Sequence, residues 1–194
     1  MPIVVIGLSH RSSSVTVRER FAFPDSRIPD TLEKLRQSGV AEEAVILSTC
    51  NRVEIYVTTD DIAQAASFLR DFLASFHDRD DPNFDASCYA LEEVEAVKHI
   101  FRVTAGLDSM VVGENEILYQ IKEAYRLAAK ERAVGGKLAL LVEQALKVGR
   151  DVRHRTNINV GAVSVATAAC ELAKKIFGKL TDQKVLILGT GKMG

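Results

Sequence analysis

The sequence of 194 residues has no tryptophan and only three cysteines. Cys50, Cys88 and Cys170 lie far apart and form no CxxC pair, which argues against a disulfide framework and against a cysteine zinc site. No hydrophobic run is long enough and free enough of charge to span a bilayer. The N-terminus lacks a basic segment before an apolar run, so no signal peptide is predicted. We therefore expect a cytoplasmic protein without a metal site.

The sequence also lacks an excess of either charge. Lysine and arginine together number 25, aspartate and glutamate 26, and the formal net charge is −1. General binding to a nucleic-acid backbone normally requires a basic excess, so this class of function is disfavoured. Recognition of an RNA end remains compatible with this balanced charge, because it needs only a few well-placed groups. The apolar content of 47% is ordinary for a globular protein, and the length allows one full domain and part of a second.

The spacing of apolar residues predicts strands and helices, and their arrangement differs between the first and the later part of the chain. The first part alternates short β-branched runs with helical patterns, which is typical of an α+β domain with a small sheet packed by helices. The later part predicts consecutive helices and then one new strand. The predicted strands cover residues 3–6, 44–47, 53–58 and 184–188, and the predicted helices cover 17–21, 29–37, 62–76, 91–105, 116–132, 137–155 and 162–177, with a loop at 77–86.

A glycine-rich motif follows the last predicted strand. A GxGxxG pattern directly after a strand is the fingerprint of a dinucleotide site, in which the backbone approaches a pyrophosphate. The alternative is an ordinary glycine-rich turn at the end of a strand. Under the first interpretation the chain holds only the first strand of an incomplete Rossmann-type α/β domain, whose remainder would lie beyond residue 194. The motif consists of Gly189, Thr190, Gly191, Lys192, Met193 and Gly194.

Cys50 lies between two predicted strands and two residues before Arg52. A thiol beside a fixed cation at a strand end can become a nucleophilic thiolate, and Arg52 can also bind a carboxylate. A buried, inert packing role is the alternative, and the local sequence favours neither. His99 points away from a predicted apolar stripe of Val94, Val97, Phe101 and Ala105, which suits either a surface residue or an acid/base partner for a cysteine. His10, His77 and His154 compete for that partner role.

Two polar segments are candidate binding elements. The glycine-bounded segment 106–116 leads into a helix on which Glu116 and Gln120 share one face, where they could hold a polar ligand. Alternatively, Glu114 and Glu116 cap the helix N-terminus. The second segment is a group of cations near the end of the helix at 137–155, which suits a solvated helix end or a contact with an RNA backbone. These cations are Lys147, Arg150, Arg153 and Arg155.

Five motifs together resemble the glutamyl-tRNA reductase family, and they occur in order along the whole chain. They are GLSHR at 7–11, VRER at 17–20, LSTCNRVEIY at 47–56, AGLDSMVVGE at 105–114 and the terminal GTGKMG. The resemblance implies NADPH-dependent reduction of glutamyl-tRNA(Glu) to glutamate-1-semialdehyde with release of free tRNA, the first step of tetrapyrrole synthesis. It also implies a homodimer in the full-length protein and possible channelling to glutamate-1-semialdehyde aminomutase.

The resemblance assigns expected roles to individual residues. Cys50 corresponds to the nucleophile that holds the glutamyl group as a thioester, and His99 to a histidine important for activity. Residues 189–194 correspond to the NADPH pyrophosphate loop. The family usually has glutamine and glycine where this sequence has Glu116 and Tyr119. The expected substrate-binding residues are Thr49, Cys50, Asn51, Arg52, Ser109, Glu114, Asn115, Glu116 and Gln120.

The family's organisation implies two parts in this chain. We expect a glutamyl-tRNA-binding catalytic domain at residues 1–157, and a connecting helix with the start of an NADPH-binding domain at 158–194. The chain alone is then expected to lack reductase activity. Two rival hypotheses are a Cys/His thiol hydrolase that uses no cofactor and a non-catalytic module that binds tRNA or a partner protein.

Overall fold

A four-stranded antiparallel sheet organises the N-terminal part of the chain in a computed structural model, which describes residues 1–76, 84–160, 164–181 and 183–186. The strand order is β2-β3-β1-β4, with every neighbouring pair antiparallel. This confirms the predicted α+β class. The strands are β1 (Ile3–Ser9), β2 (Glu43–Ser48), β3 (Arg52–Thr58) and β4 (Tyr89–Glu92).

Helices pack on the sheet and bury its central strands completely. All seven residues of β1 and of β3 are buried, which explains why their sequences read as continuous apolar runs. Helices α3 and α5 contact β1, α2 and α6 contact β2, and α7 contacts β3. The helices are α1 (Val15–Phe21), α2 (Ile28–Gln37), α3 (Ile62–Phe76), α4 (Phe84–Ser87), α5 (Glu93–Thr104), α6 (Glu116–Lys130), α7 (Lys137–Arg155) and α8 (Val165–Phe177).

The edge strand β4 was not predicted. Residues 91 and 92 were assigned to a helix, but they pair with β1, and α5 begins at Glu93. The predicted loop at 77–86 is wrong at its end, where α4 begins at Phe84; its residues 77–83 lie outside the described residues. A four-residue strand carries too short an alternating pattern to be read locally. Its pairing with β1, more than eighty positions away, decides its conformation.

The C-terminal segment contains α8 and an irregular stretch. A capping box formed by Ser164 and Thr167 starts α8, and Gly178 follows its last residue with a φ of 74°. The predicted strand at 184–188 is not formed over residues 184–186, where Val185 and Leu186 are 83% and 82% exposed. A strand needs a hydrogen-bonded neighbour, and these residues have none among those described. The predicted motif at 189–194 lies outside the described residues. No described helix is long and apolar enough to cross a membrane.

Glu43 at the start of β2 caps the N-terminus of α7. Its carboxylate accepts hydrogen bonds from the backbone N–H groups of Gly135 at 2.8 Å, Gly136 at 2.6 Å and Leu138 at 2.8 Å. Burial alone would raise the pKa of Glu43, but these backbone donors outweigh it and hold the pKa below its usual value. The carboxylate thereby supplies the acceptors that Gly136, at the helix N-cap, lacks.

Replacing Glu43 with glutamine is expected to lower the free energy of unfolding by about 2 kcal/mol at neutral pH, because charged acceptors make the stronger hydrogen bonds. The depressed pKa means that the ionised carboxylate stabilises the fold above its unfolded pKa, and that this stabilisation is lost as the pH falls through the folded pKa. Urea unfolding at neutral and acidic pH checks both points. Glu42→Gln, at the exposed neighbouring position, is the matched control and should change little. An equal loss in both variants would contradict the capping role.

Candidate active site

Cys50 lies at the tip of the tight turn that joins β2 to β3. The Thr49 side-chain oxygen accepts the N–H groups of Asn51 and Arg52, each at 3.1 Å, which fixes the turn. The Arg18 guanidinium donates to the carbonyl oxygen of Cys50 at 3.2 Å. Cys50 itself is exposed. The alternative of a buried packing residue is therefore wrong for this cysteine, and its role as a nucleophile stays a prediction.

The other two cysteines lack this setting. Cys88 is buried, and burial raises the pKa of its thiol to about 11, which disfavours the thiolate. Cys170 is exposed on α8, in the C-terminal segment. The turn at Cys50 thus places an accessible thiol beside the sheet.

Glu54 on β3 is the centre of a buried polar cluster below this turn. Its Oε1 atom accepts hydrogen bonds from Arg52 Nη1 at 2.6 Å, from His99 Nε2 at 2.8 Å and from the Tyr89 hydroxyl. Its Oε2 atom accepts one from the Tyr56 hydroxyl at 2.5 Å. The Glu54 side chain is fully buried. A buried carboxylate with this many donors is held in one place.

Gly7 on β1 leaves the space that Glu54 occupies. The two residues are paired across the sheet, and a Cβ atom at position 7 would lie 2.7 Å from Cγ of Glu54 and 2.6 Å from the carbonyl oxygen of Val53. A larger residue here would therefore push β3 away from β1. Position 7 belongs to the GLSHR motif, and this contact gives a structural reason for a glycine there.

The electrostatics of the cluster fix its charge state. Burial raises the pKa of Glu54, but the Arg52 guanidinium and the hydrogen bonds from His99 and Tyr56 outweigh it and hold the pKa well below its usual range. Burial lowers the pKa of Arg52, but the Glu54 charge, the two tyrosines and the hydrogen bond to Glu54 together outweigh burial and hold the pKa above its usual value. Burial and the same charge raise the pKa of both Tyr56 and Tyr89. At neutral pH the cluster therefore holds a carboxylate, a guanidinium and two protonated phenols.

Arg52 links this cluster to the surface. Its side chain is 1% exposed, and Nη2 donates to the Asp108 carbonyl oxygen at 2.5 Å and to Asp108 Oδ2 at 3.1 Å. Asp108 Oδ1 in turn lies 3.0 Å from Nε of Arg11, whose side chain is 56% exposed. Both ends of the Arg52 guanidinium are thus bound to protein carboxylates. Of the residues in this series of ion pairs, Arg11 is the one whose side chain reaches solvent.

His99 on α5 faces the cluster. The predicted stripe is only partly right: Val94 is exposed, but Val97 and Phe101 pack against the core and Ala105 is buried. The most deeply buried face of α5 is formed by Ala96, Ile100 and Val103, so it is shifted from the predicted one. His99 is three residues after Ala96 and so borders the buried face. Its side chain is 13% exposed, which places it between the cluster and solvent.

The competing histidines occupy different places. His10 follows β1, and its N–H donates to the Asn51 carbonyl oxygen at 2.8 Å, so it also lies beside the turn. Burial and the charge of Arg52 lower the pKa of His10. His154 is exposed near the end of α7, and His77 lies outside the described residues. The structure therefore leaves two described candidates, His99 at the Glu54 cluster and His10 beside the Cys50 turn.

Glu114 caps α6. Its carboxylate accepts the N–H groups of Glu116 at 2.6 Å and Ile117 at 3.1 Å, and the Ser109 hydroxyl at 3.1 Å. The helix-capping interpretation is confirmed for this residue. Ser109 is buried, Glu116 and Asn115 are exposed, and Gln120 is half-buried. Their role in substrate binding stays a prediction.

Arg153 holds α7 in place instead of serving as a free surface cation. It donates to the carbonyl oxygens of Thr104 and Gly149, both at 2.9 Å, and of Glu114 at 2.8 Å. Lys147, Arg150 and Arg155 remain exposed. No group of His, Cys, Asp or Glu side chains that could hold a metal ion occurs among the described residues.

Sequence reasoning missed the roles of Glu54, Tyr56, Tyr89, Asp108 and Arg11. One local signal could have found part of the set. Arg52, Glu54 and Tyr56 alternate along β3, so they project from the same face of the sheet. The other contacts join residues distant in sequence and carry no local signal.

Comparison with known proteins assigns the chain to a family. The family model described as "Glutamyl-tRNAGlu reductase, N-terminal domain" matches residues 6–156. The chain belongs to this family. Glutamyl-tRNA reductase of Trichlorobacter lovleyi is 46% identical over 193 residues, and that of Paenibacillus macerans is 42% identical; each alignment covers 100% of this chain. The structure of glutamyl-tRNA reductase from Methanopyrus kandleri matches 98% of this chain with a TM-score of 0.68 and 35% identity.

The match to the glutamyl-tRNA reductases covers only part of their length. The chain spans 44% of the two curated relatives and 44% of the solved structure. The resemblance of the five motifs to this family is thereby confirmed. Cys50 and the cluster around Glu54 both lie within the matched residues.

Proposed function

We propose that this chain is the glutamyl-tRNA-binding catalytic part of a glutamyl-tRNA reductase, in which Cys50 takes the glutamyl group from tRNA as a thioester. The observation that carries the proposal is the exposed Cys50 at a fixed turn that leads directly into Arg52, which shares the buried Glu54 with His99. The catalytic domain would comprise residues 1–157. Residues 158–194 would form the connection to a nucleotide-binding domain.

The proposed acyl transfer conserves every atom of the two reactants. The Cys50 thiolate attacks the ester carbonyl carbon, a C–S bond forms, and the C–O bond to the terminal ribose breaks. The proton lost by the thiol ends on the ribose oxygen, so the products are a glutamyl thioester and tRNA with a free hydroxyl. His99, 13% exposed at the edge of the cluster, is the proposed acid that delivers the proton.

The net charge around the turn suits a substrate with one carboxylate. Arg52 and Arg11 pair with the carboxylates of Glu54 and Asp108, and a third guanidinium group, that of Arg18, binds the carbonyl oxygen of Cys50. The excess of one positive charge favours an anionic side chain such as that of glutamate. Arg52 is the predicted partner of that carboxylate, but Asp108 now occupies its Nη2 atom. Binding there therefore requires Asp108 to give way, whereas the Arg11 side chain already reaches solvent.

The remaining substrate contacts follow the family resemblance. Thr49 and Asn51 flank Cys50 in the turn, and Ser109 lies on the loop that carries Asp108. The N-terminal part of α6 provides the other proposed contacts. These residues are Glu114, Asn115, Glu116 and Gln120.

The proposed cofactor is NADPH, held by residues 189–194. When bound, it supplies the hydride that converts the thioester to the aldehyde. The product would be glutamate-1-semialdehyde, in the first step of tetrapyrrole synthesis in the cytoplasm. The full-length protein would be a homodimer and would pass the aldehyde to glutamate-1-semialdehyde aminomutase.

Intact mass spectrometry after incubation with glutamyl-tRNA tests the proposal. The chain should gain the mass of one glutamyl group, because the thioester forms before any reduction. Cys170→Ser, which removes another exposed cysteine, is the matched control and should acquire the same adduct. Cys50→Ser should acquire none that hydroxylamine cleaves as a thioester.

Three other results would contradict the proposal. An adduct that persists in Cys50→Ser would place the acyl group elsewhere. In the full-length protein with NADPH, Cys50-dependent release of free glutamate in place of aldehyde would favour a thiol hydrolase. Binding of tRNA without any acyl transfer would favour a non-catalytic module.

A further inference from the structure

We propose that Tyr89 is a positioning residue which, through Glu54, holds the His99 ring with its proton on Nε2 and leaves Nδ1 as the nitrogen that exchanges protons with the substrate. The inference deepens the proposed function and rests on it, because it concerns the acid that protonates the departing ribose oxygen. It adds a tyrosine and a specific ring atom to the acyl-transfer machinery.

The hydrogen bonds around Glu54 determine the His99 tautomer. An ionised carboxylate only accepts hydrogen bonds, so the ring nitrogen 2.8 Å from Glu54 Oε1 must carry a hydrogen. Arg52 beside Glu54 keeps the carboxylate ionised, since it holds the pKa of Glu54 well below its usual range. Nε2 is therefore protonated whether the ring is neutral or charged, and proton exchange falls to Nδ1.

Tyr89 contacts both Glu54 and His99. Its hydroxyl donates to Oε1 of Glu54, the same oxygen that accepts from His99. Its ring meets the His99 ring edge-on, with centroids 5.6 Å apart and planes at 64°. Tyr56 supports the pair from another side, with its hydroxyl on Oε2 and its ring centroid 6.5 Å from that of His99. The carboxylate and the imidazole are thus each held from two directions.

Tyr89 is the more informative of the two tyrosines to change. Tyr56 is buried within β3, whereas Tyr89 is half-buried on the short edge strand β4. Removing the Tyr89 hydroxyl leaves the ring contact with His99 in place and takes one donor from Oε1 of Glu54. Carboxylate and imidazole then lose part of their fixed geometry, while the sheet keeps its packing.

The first test measures single-turnover release of tRNA from glutamyl-tRNA by the full-length protein. Tyr89→Phe should slow this step by about 10- to 100-fold, because small misplacements of a catalytic group cost that much. The affinity for glutamyl-tRNA should not change. Tyr125→Phe is the matched control: Tyr125 donates to the exposed Glu143 at 2.7 Å on the surface of α6 and α7, and its loss should leave the rate unchanged. An unaltered rate in Tyr89→Phe would overturn the inference.

The second test reads the histidine ring directly. In nitrogen-15 NMR of histidine-labelled protein, the His99 signals are assigned by their absence in His99→Gln. We expect these signals to show the ring hydrogen on Nε2. Glu54→Gln should also keep the hydrogen on Nε2, because Arg52 Nη1 only donates and therefore holds the amide oxygen, not the amide nitrogen, at the position of Oε1. A wild-type ring with Nδ1–H would overturn the assignment. This readout needs no substrate. If the wild type fails to release tRNA, the proposed function fails, and the tautomer assignment is still decided by NMR.

Discussion

Replacing Arg52 with methionine is expected to lower the free energy of unfolding by about 3–5 kcal/mol, because it leaves buried carboxylates without their partner. The Arg52 side chain is 1% exposed, and it binds the fully buried Glu54 and the largely buried Asp108. Methionine fills much of the volume but donates no hydrogen bond. Urea unfolding of the chain at neutral pH measures the loss.

Arg11→Met is the matched control for this experiment. Arg11 pairs with the same Asp108, at 3.0 Å, but its side chain is 56% exposed. Exposed ion pairs contribute about 1 kcal/mol or less, so this variant should stay close to the wild type. Equal losses in the two variants would show that burial does not determine the contribution of Arg52.

The pH dependence of the Arg52→Met variant gives a second check. In the wild type the pKa of Glu54 is depressed, so the ionised carboxylate stabilises the fold above its unfolded pKa and this contribution is lost as the pH falls through the folded pKa. Without Arg52, burial dominates and raises the pKa of Glu54. The protonated form is then favoured in the fold, and the variant gains stability relative to the wild type on acidification. A deficit that stays constant between pH 7 and pH 4 would contradict this account.

The sequence predicted the location of the candidate site better than its construction. The turn at Cys50 follows from two apolar runs that end on either side of it, and the structure confirms both strands. His99 was identified, but it was predicted to point away from the buried face, whereas the structure holds it against the buried Glu54. Local sequence patterns do not show which side chains meet, because Glu54 binds Tyr89 and His99 at separations of 35 and 45 residues. Such contacts arise only after β3, β4 and α5 pack together.

The acidic residues show the same limit of prediction from the sequence. Glu114 was correctly interpreted as a helix cap, because it precedes its helix by two residues and the cap is local. Glu43 does the same for α7, but from a strand about 95 residues earlier, so no capping pattern in the sequence marks it. Asp108 likewise meets Arg52 across 56 residues. Local caps are therefore predictable, whereas acids that act across the fold are not.

Replacing Gly113 with alanine is expected to disrupt the loop that carries Asp108 and Ser109. Gly113 has a φ of 82°, and a Cβ atom there would lie 1.7 Å from the carbonyl oxygen of Ile158. The left-handed conformation alone costs about 1–2 kcal/mol for a residue with a side chain. The clash is with backbone, which cannot turn aside as a side chain does. The total loss in free energy of unfolding should therefore clearly exceed that range.

Gly39→Ala separates the two contributions to this loss. Gly39 has a φ of 70°, but among the described residues no atom outside its two chain neighbours lies within 4 Å of the position of its Cβ, so alanine there should cost only about 1–2 kcal/mol. Urea unfolding of both variants gives the difference due to the clash. A similar loss in both would mean that residue 158 moves freely away from Gly113. The expected larger loss in Gly113→Ala would also displace Asp108, and with it one of the two carboxylates that hold the Arg52 guanidinium below Cys50.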